Sequence, residues 1–184
     1  TVFSGNYSNW DAVAISGRHT WVEDSRFTEN EWGGNRMQGT IGHSWGALGI
    51  YGSLTLNNSV FENNEIDRAL WFRPVGGPCD EIYIRVNNSR FSNNLGVGLY
   101  ILEPSCNGFQ PDNDLPNLIE VKNTTFEGNG MMAIMTRGGN TLIEDSVFRM
   151  NSNGFHPAAN QECDAYFYSG QGATGENDTG HDWD

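Results

Sequence analysis

The sequence predicts an all-β domain, a right-handed parallel β-helix (solenoid) of about six coils with inserted loops. Three observations carry that expectation. A Phe-x-x-Asn motif recurs six times, apolar and polar residues alternate with period two around it, and Gly, Asn and Asp collect between the repeats.

The motifs are FSGN, FTEN, FENN, FSNN, FEGN and FRMN, and Phe3, Phe27, Phe61, Phe91, Phe126 and Phe148 are spaced by 24, 34, 30, 35 and 22 residues. A minimal coil of about 22 residues, lengthened by insertions at one point, accounts for the variation. Two residues before each Phe stands a hydroxyl, at Thr1, Ser25, Ser59, Ser89, Thr124 and Ser146. Asp24, Asn58, Asn88, Asn123 or Asp145 precedes it, with Val22, Leu56, Val86, Val121 or Ile143 two positions further back. Because Asn and Asp tolerate left-handed backbone, this pattern describes a strand, a sharp bend and a second strand. Pairing each strand with its equivalent one coil on, about 4.8 Å away, stacks like on like. The Phe column then fills the interior, and Asn6, Asn30, Asn64, Asn94, Asn129 and Asn151 form an amide ladder. Both columns are structural on this reading.

Another strand follows each Asn. Alignment puts a small residue at Ala14, Gly49, Ala69, Gly98, Ala133 and Gly154, and an inward apolar one at Ile15, Ile50, Leu70, Leu99, Ile134 and Phe155. The insertions fall at 31–45, 74–81 and 103–117. The solenoid occupies 1–160, and 161–184 forms an acidic, Gly-rich tail, flexible or docked on the last coil.

Composition narrows the function. A net charge of -13, from 10 basic and 23 acidic residues, repels a phosphate backbone, so nucleic acid is not an expected partner. No apolar run approaches the roughly 18 residues of a membrane helix, which argues against direct membrane insertion. The chain opens inside a repeat, as a processed protein or a piece of a longer one would. No cofactor is expected. Asp112, Asn113 and Asp114 form the best candidate calcium loop but lack the spacing of a known calcium motif. His19, His43 and His181 have no metal-ligand spacing and are read as surface residues.

With these residues in view, the chain resembles the parallel β-helix repeat superfamily shared by pectin-lyase-like proteins, over residues 1 to about 160. The Phe-x-x-Asn half resembles the repeat of chlamydial polymorphic outer-membrane adhesins, whose companion Gly-Gly-Ala-Ile motif is blurred here into GVGLYI and GMMAIM. The resemblance implies a secreted or cell-surface protein and contact with polysaccharide as enzyme, binding module or adhesin.

Cys79 and Cys106 lie in insertions that leave successive coils at nearly the same point, so a disulfide between them is expected, with Cys163 left over. Asn57, Asn87, Asn123 and Asn177 are candidate glycosylation sites; Asn6 also has the required spacing but belongs to the ladder.

The position after the inward apolar residue carries Tyr51, Trp71, Tyr100 and His156, and two positions on come Arg73 and Arg137. These residues point outward, over neighbours that are only Ala or Gly. A row of rings edged by guanidinium groups is what a sugar needs, and these six are the candidate carbohydrate site. The alternative is that inserted loops or a neighbouring domain cover the rings. Enzymatic use of the face, as a polysaccharide lyase, epimerase or hydrolase, would make Tyr100 or His156 the base or acid and have Arg73 or Arg137 hold a uronate carboxylate. The chain shows neither an Asp constellation nor an acidic calcium cluster of the kind such enzymes use. A third reading is a stalk or filament subunit stacking end to end through exposed sheet edges.

Overall fold

In a computed structural model of the chain, the described residues are 1–8, 11–32, 46–72, 83–101, 118–137, 140–151 and 165–168. Among them every regular element is a β-strand, and the paired strands run parallel.

The first sheet stacks six three-residue strands in the order β1 (Val2–Ser4), β4 (Arg26–Thr28), β7 (Val60–Glu62), β10 (Arg90–Ser92), β13 (Thr125–Glu127) and β16 (Val147–Arg149). Each contains one repeat Phe, and the register is Phe on Phe throughout. The six rings form one continuous pile, with neighbouring centroids 4.6–5.1 Å apart and planes within 14° of parallel. Ring stacking adds roughly 0.5–1.5 kcal/mol per pair beyond area burial. Two short strands, β2 (Tyr7–Ser8) and β5 (Glu31–Trp32), pair separately.

The second sheet has nine strands. The long β3 (Val13–Glu23) pairs with the long β6 (Gly46–Asn57). The first half of β6 continues into β8 (Arg68–Phe72), β11 (Val97–Ile101), β14 (Ile134–Arg137) and β17 (Ala165–Tyr168). Its second half continues into β9 (Tyr83–Asn87), β12 (Leu118–Lys122) and β15 (Asn140–Glu144). Strand β17 lies in the segment read as a tail, so the paired region extends past residue 160.

The bends form where the sequence predicts them. Asp24, Asn58, Asn88, Asn123 and Asp145 all have φ between 47° and 49°. A second left-handed position recurs just before each ladder Asn, at Gly5, Glu29, Asn63, Asn93, Gly128 and Met150. Between the two bends, from Ser25 onward each hydroxyl donates to the carbonyl two residues earlier, as Ser59 does to Asn57 at 2.9 Å, and from Ser59 onward each accepts from the previous repeat's backbone N–H.

The amide ladder is complete. Each Asn Nδ2 donates to the Oδ1 of the next Asn at 2.8–2.9 Å, from Asn6 through to Asn151, and the backbone N–H of the same residue donates to the same oxygen. From Asn30 onward, Nδ2 also reaches the Phe carbonyl of the preceding repeat. The buried core pairs the Phe pile with Leu48, Ile50, Leu70, Phe72, Leu99 and Ile134 from the second sheet.

One alignment is corrected. Ile15 pairs with Ile50 and Leu70 with Leu99 as expected, but Ile50 pairs with Phe72 rather than Leu70, and Gly49 rather than Tyr51 is the register partner of Trp71. The slip is two residues. It keeps every side chain on its own face, so the inward column remains apolar.

Candidate functional site

The aromatic residues singled out from the sequence do gather, but not on an open surface. Tyr100 is in register with Trp71 and with Met135, on the face opposite the main core. Trp71, Val97, Tyr100 and Met132 form a second apolar cluster, against which Tyr51, Met131 and Met135 pack. Trp71 and Tyr100 are each only 2% exposed, and Tyr51 is half-buried with its ring edge-on to Trp71 at 5.4 Å. The Arg68 guanidinium lies over the Tyr100 ring, 4.1 Å from its centroid. The expectation of an unobstructed ring surface is therefore corrected. The neighbouring positions are small, as read, but Arg68 lies over Tyr100 and Met131, Met132 and Met135 pack into the same cluster. Arg137 is fixed by its place in β14 alone, opposite Tyr168. Arg73 and His156 lie outside the described residues, as do Cys79, Cys106, Cys163, Asn177 and the loop at Asp112.

Asp11 joins this region and was not anticipated. Its Oδ1 accepts the N–H of Gly46 at 2.6 Å, and the carboxylate fills the space a side chain at position 49 would take, since a Cβ on Gly49 would fall 2.2 Å from Oδ2. Burial pushes the Asp11 carboxyl up to about 6, against the lowering effects of the Gly46 hydrogen bond, the Arg68 charge and a hydrogen bond with Tyr51. A carboxyl that titrates close to neutrality, beside a phenol and a guanidinium, has the parts of an acid–base site. No sequence signal marks it. Asp11 has no equivalent in the other repeats, and its partners come from two later ones.

A different surface holds exposed aromatic groups. A bulge between Ser16 and His19 places two residues of β3, Gly17 and Arg18, against one of β6, Gly52. Gly52 has φ 128°, and a Cβ there would collide with the Gly17 carbonyl, so only glycine fits. Beyond the bulge His19 is in register with Ser53 and Trp21 with Thr55. The His19 ring reaches over the buried Ser53 to stack on Tyr83, at 5.6 Å and 25°, and lies 6.5 Å from Trp21. Trp21 is 71% exposed. The Arg85 guanidinium covers Tyr83 at 4.7 Å and pairs with Glu120 at 3.3 Å. Lys122 bridges Glu120 and Glu144 at 2.5 and 2.9 Å, and these two hydrogen bonds push its ammonium up to about 12. The histidine read as a surface residue is thus exposed, and it belongs to an aromatic ledge with a charged edge.

The candidate glycosylation sites differ in accessibility. Asn57 and Asn87 are half-buried, and Asn87 Nδ2 donates to Asn57 Oδ1 at 3.1 Å. Asn123 is exposed at its bend, whereas Asn6 spends its amide on Asn30. Among the described residues no cluster of His, Cys, Asp and Glu is arranged to hold a metal ion. No protein-family model matches the chain, and comparison with curated proteins and with solved structures finds no significant match.

Proposed function

We propose that the chain is a right-handed parallel β-helix, secreted or displayed at a cell surface, that acts as a rigid structural or adhesive element and contacts carbohydrate through an aromatic face. The observation that carries the carbohydrate part is the His19–Trp21–Tyr83 ledge, where a largely exposed indole stands beside stacked rings and charged groups. Sugar rings offer flat C–H faces and peripheral hydroxyls, which an indole face with polar neighbours complements. Rigidity is supported by the unbroken Phe pile and amide ladder, which tie each repeat to the next. Extracellular placement rests on the family resemblance and the expected Cys79–Cys106 bridge. A panel of immobilised glycans probed with the wild type and with Trp21→Ala tests the reading. Binding by the wild type that falls in the variant is expected, and no binding to any glycan would overturn the carbohydrate part.

The Asp11 carboxyl, beside Tyr51 and Arg68, favours a second reading, a polysaccharide-modifying enzyme. It shifts the acid–base role from Tyr100, whose ring is buried beneath Arg68, to Asp11. Turnover of a polysaccharide that Asp11→Asn abolishes would support it; inactivity of the wild type across uronic and neutral polymers would remove it.

A further inference from the structure

We infer that the His19–Trp21–Tyr83 ledge selects neutral, hydroxyl-rich glycans and discriminates against uronate- or sulfate-bearing ones, an inference that rests on the carbohydrate reading above. Charge decides it. Among the described residues, the outward positions around the ledge carry the cations Arg85 and Lys122 and the carboxylates Glu23, Glu120 and Glu144, and Arg18 is exposed in the bulge beside His19. These cations are already engaged, Arg85 with Glu120 and Lys122 with Glu120 and Glu144, and Arg18 is not free either. An anionic sugar would have to displace one of these carboxylates and would approach a chain of net charge -13. Nothing on the ledge repels a neutral sugar. Its hydroxyls both donate and accept, and so do the groups beside Trp21, the Thr55 hydroxyl in register with it and the Asn57 and Asn87 amides on the adjoining column. The apolar contact comes from the indole, which offers its ring to solvent instead of to the core.

The test titrates the wild type and Trp21→Ala with neutral oligosaccharides, such as gluco- and manno-oligosaccharides, and with oligogalacturonates of matched length. Binding is followed calorimetrically at low and high salt. Because Trp21 is mostly solvent-exposed, the variant retains the fold, which its thermal transition verifies. The expected result is neutral-glycan binding that changes less than about twofold with salt and weakens roughly tenfold or more in Trp21→Ala, with oligogalacturonate at least about tenfold weaker. Oligogalacturonate binding that matches or exceeds the neutral ligand, and that still depends on Trp21, would overturn the charge argument while leaving the carbohydrate reading intact. Neutral binding indifferent to Trp21→Ala would overturn the ledge as its location. Absence of binding to either class would overturn this inference and the carbohydrate reading together.

Discussion

Replacing Asn94 by Ala separates a working amide ladder from a merely repetitive sequence. Asn94 Oδ1 accepts the N–H of Asn64 at 3.2 Å and Asn64 Nδ2 at 2.8 Å, while its own Nδ2 donates to the Phe61 carbonyl at 3.1 Å and to Asn129 Oδ1 at 2.9 Å. All four contacts vanish in Asn94→Ala, but they do not weigh equally. Asn64 Nδ2 keeps the Phe27 carbonyl, and Asn129 Oδ1 keeps the backbone N–H of residue 94. The buried N–H of Asn64 loses the acceptor that the ladder gave it. About 1 kcal/mol for each of three lost bonds, and about 1–3 kcal/mol for the orphaned donor, give a destabilisation of about 4–6 kcal/mol. Asn6 occupies the same column at an exposed position and makes one side-chain donation, to Asn30. Asn6→Ala is therefore expected to cost below about 1 kcal/mol. Asn94→Asp should be at least as damaging as Asn94→Ala at pH 7, because a second carboxylate oxygen would face the Phe61 carbonyl and Asn129 Oδ1. Equilibrium urea unfolding of the variants reads these differences directly. A gap between Asn94→Ala and Asn6→Ala of less than about 1 kcal/mol would refute the claim that burial and ladder bonding, not residue type, set the cost.

Asp11 makes stability depend on pH with an unusual sign. Its folded value of about 6 lies above the ordinary 3.8, so the folded chain holds the proton more tightly, and this contribution is complete below 3.8 and lost as pH rises through 6. That rise corresponds to at most about 3 kcal/mol, and solvent access to a half-buried carboxyl reduces it to about 1–2 kcal/mol. Asp11→Asn should accordingly be more stable than the wild type by that amount at pH 8 and equal to it at pH 4 in parallel denaturation curves; a variant less stable at pH 8 would mean that the Arg68 attraction outweighs burial. Glu29 sits at φ 55° and is exposed, so Glu29→Gly is expected to raise the melting temperature, by about 1–2 kcal/mol of relieved backbone strain offset in part by the entropy of glycine. A lowered melting temperature would show that the Glu29 side chain contributes more than its backbone costs.

These cases also mark what the sequence makes legible. Phe, Asn and hydroxyl columns can be read directly, because parallel in-register pairing brings identical residues together and only residues that tolerate self-stacking persist in every repeat. The bend at Asp24 and its equivalents is legible for a similar reason, since Asn and Asp announce left-handed backbone. The second bend is legible only in part: Gly5, Asn63, Asn93 and Gly128 are residue types that take left-handed backbone, whereas Glu29 and Met150 adopt it between the ladder on one side and the Phe pile on the other, a constraint absent from their own chemistry.

The candidate site was harder to read because its decisive contacts run between repeats and across irregularities. A period-two pattern assigns inside and outside, and it assigned Trp71 and Tyr100 to the correct face. It is blind to a two-residue slip, which changes the register partners while leaving every face unchanged, and so it puts Tyr51 rather than Gly49 in register with Trp71, although the Tyr51 ring still meets Trp71 edge-on. It also says nothing of what lies against an outward ring, such as Arg68 over Tyr100 and the methionines packed into the same cluster. The ledge depends on the opposite accident. Gly17, Arg18 and Gly52 form a bulge, and the bulge brings His19 into line with Ser53, from where its ring meets Tyr83, 64 residues further along the chain. A repeat aligned by its identities cannot reveal such a meeting. In a chain whose repeats fix the scaffold so strictly, the departures from the repeat, Asp11, the bulge and Trp21, are where chemistry peculiar to this protein has room to reside.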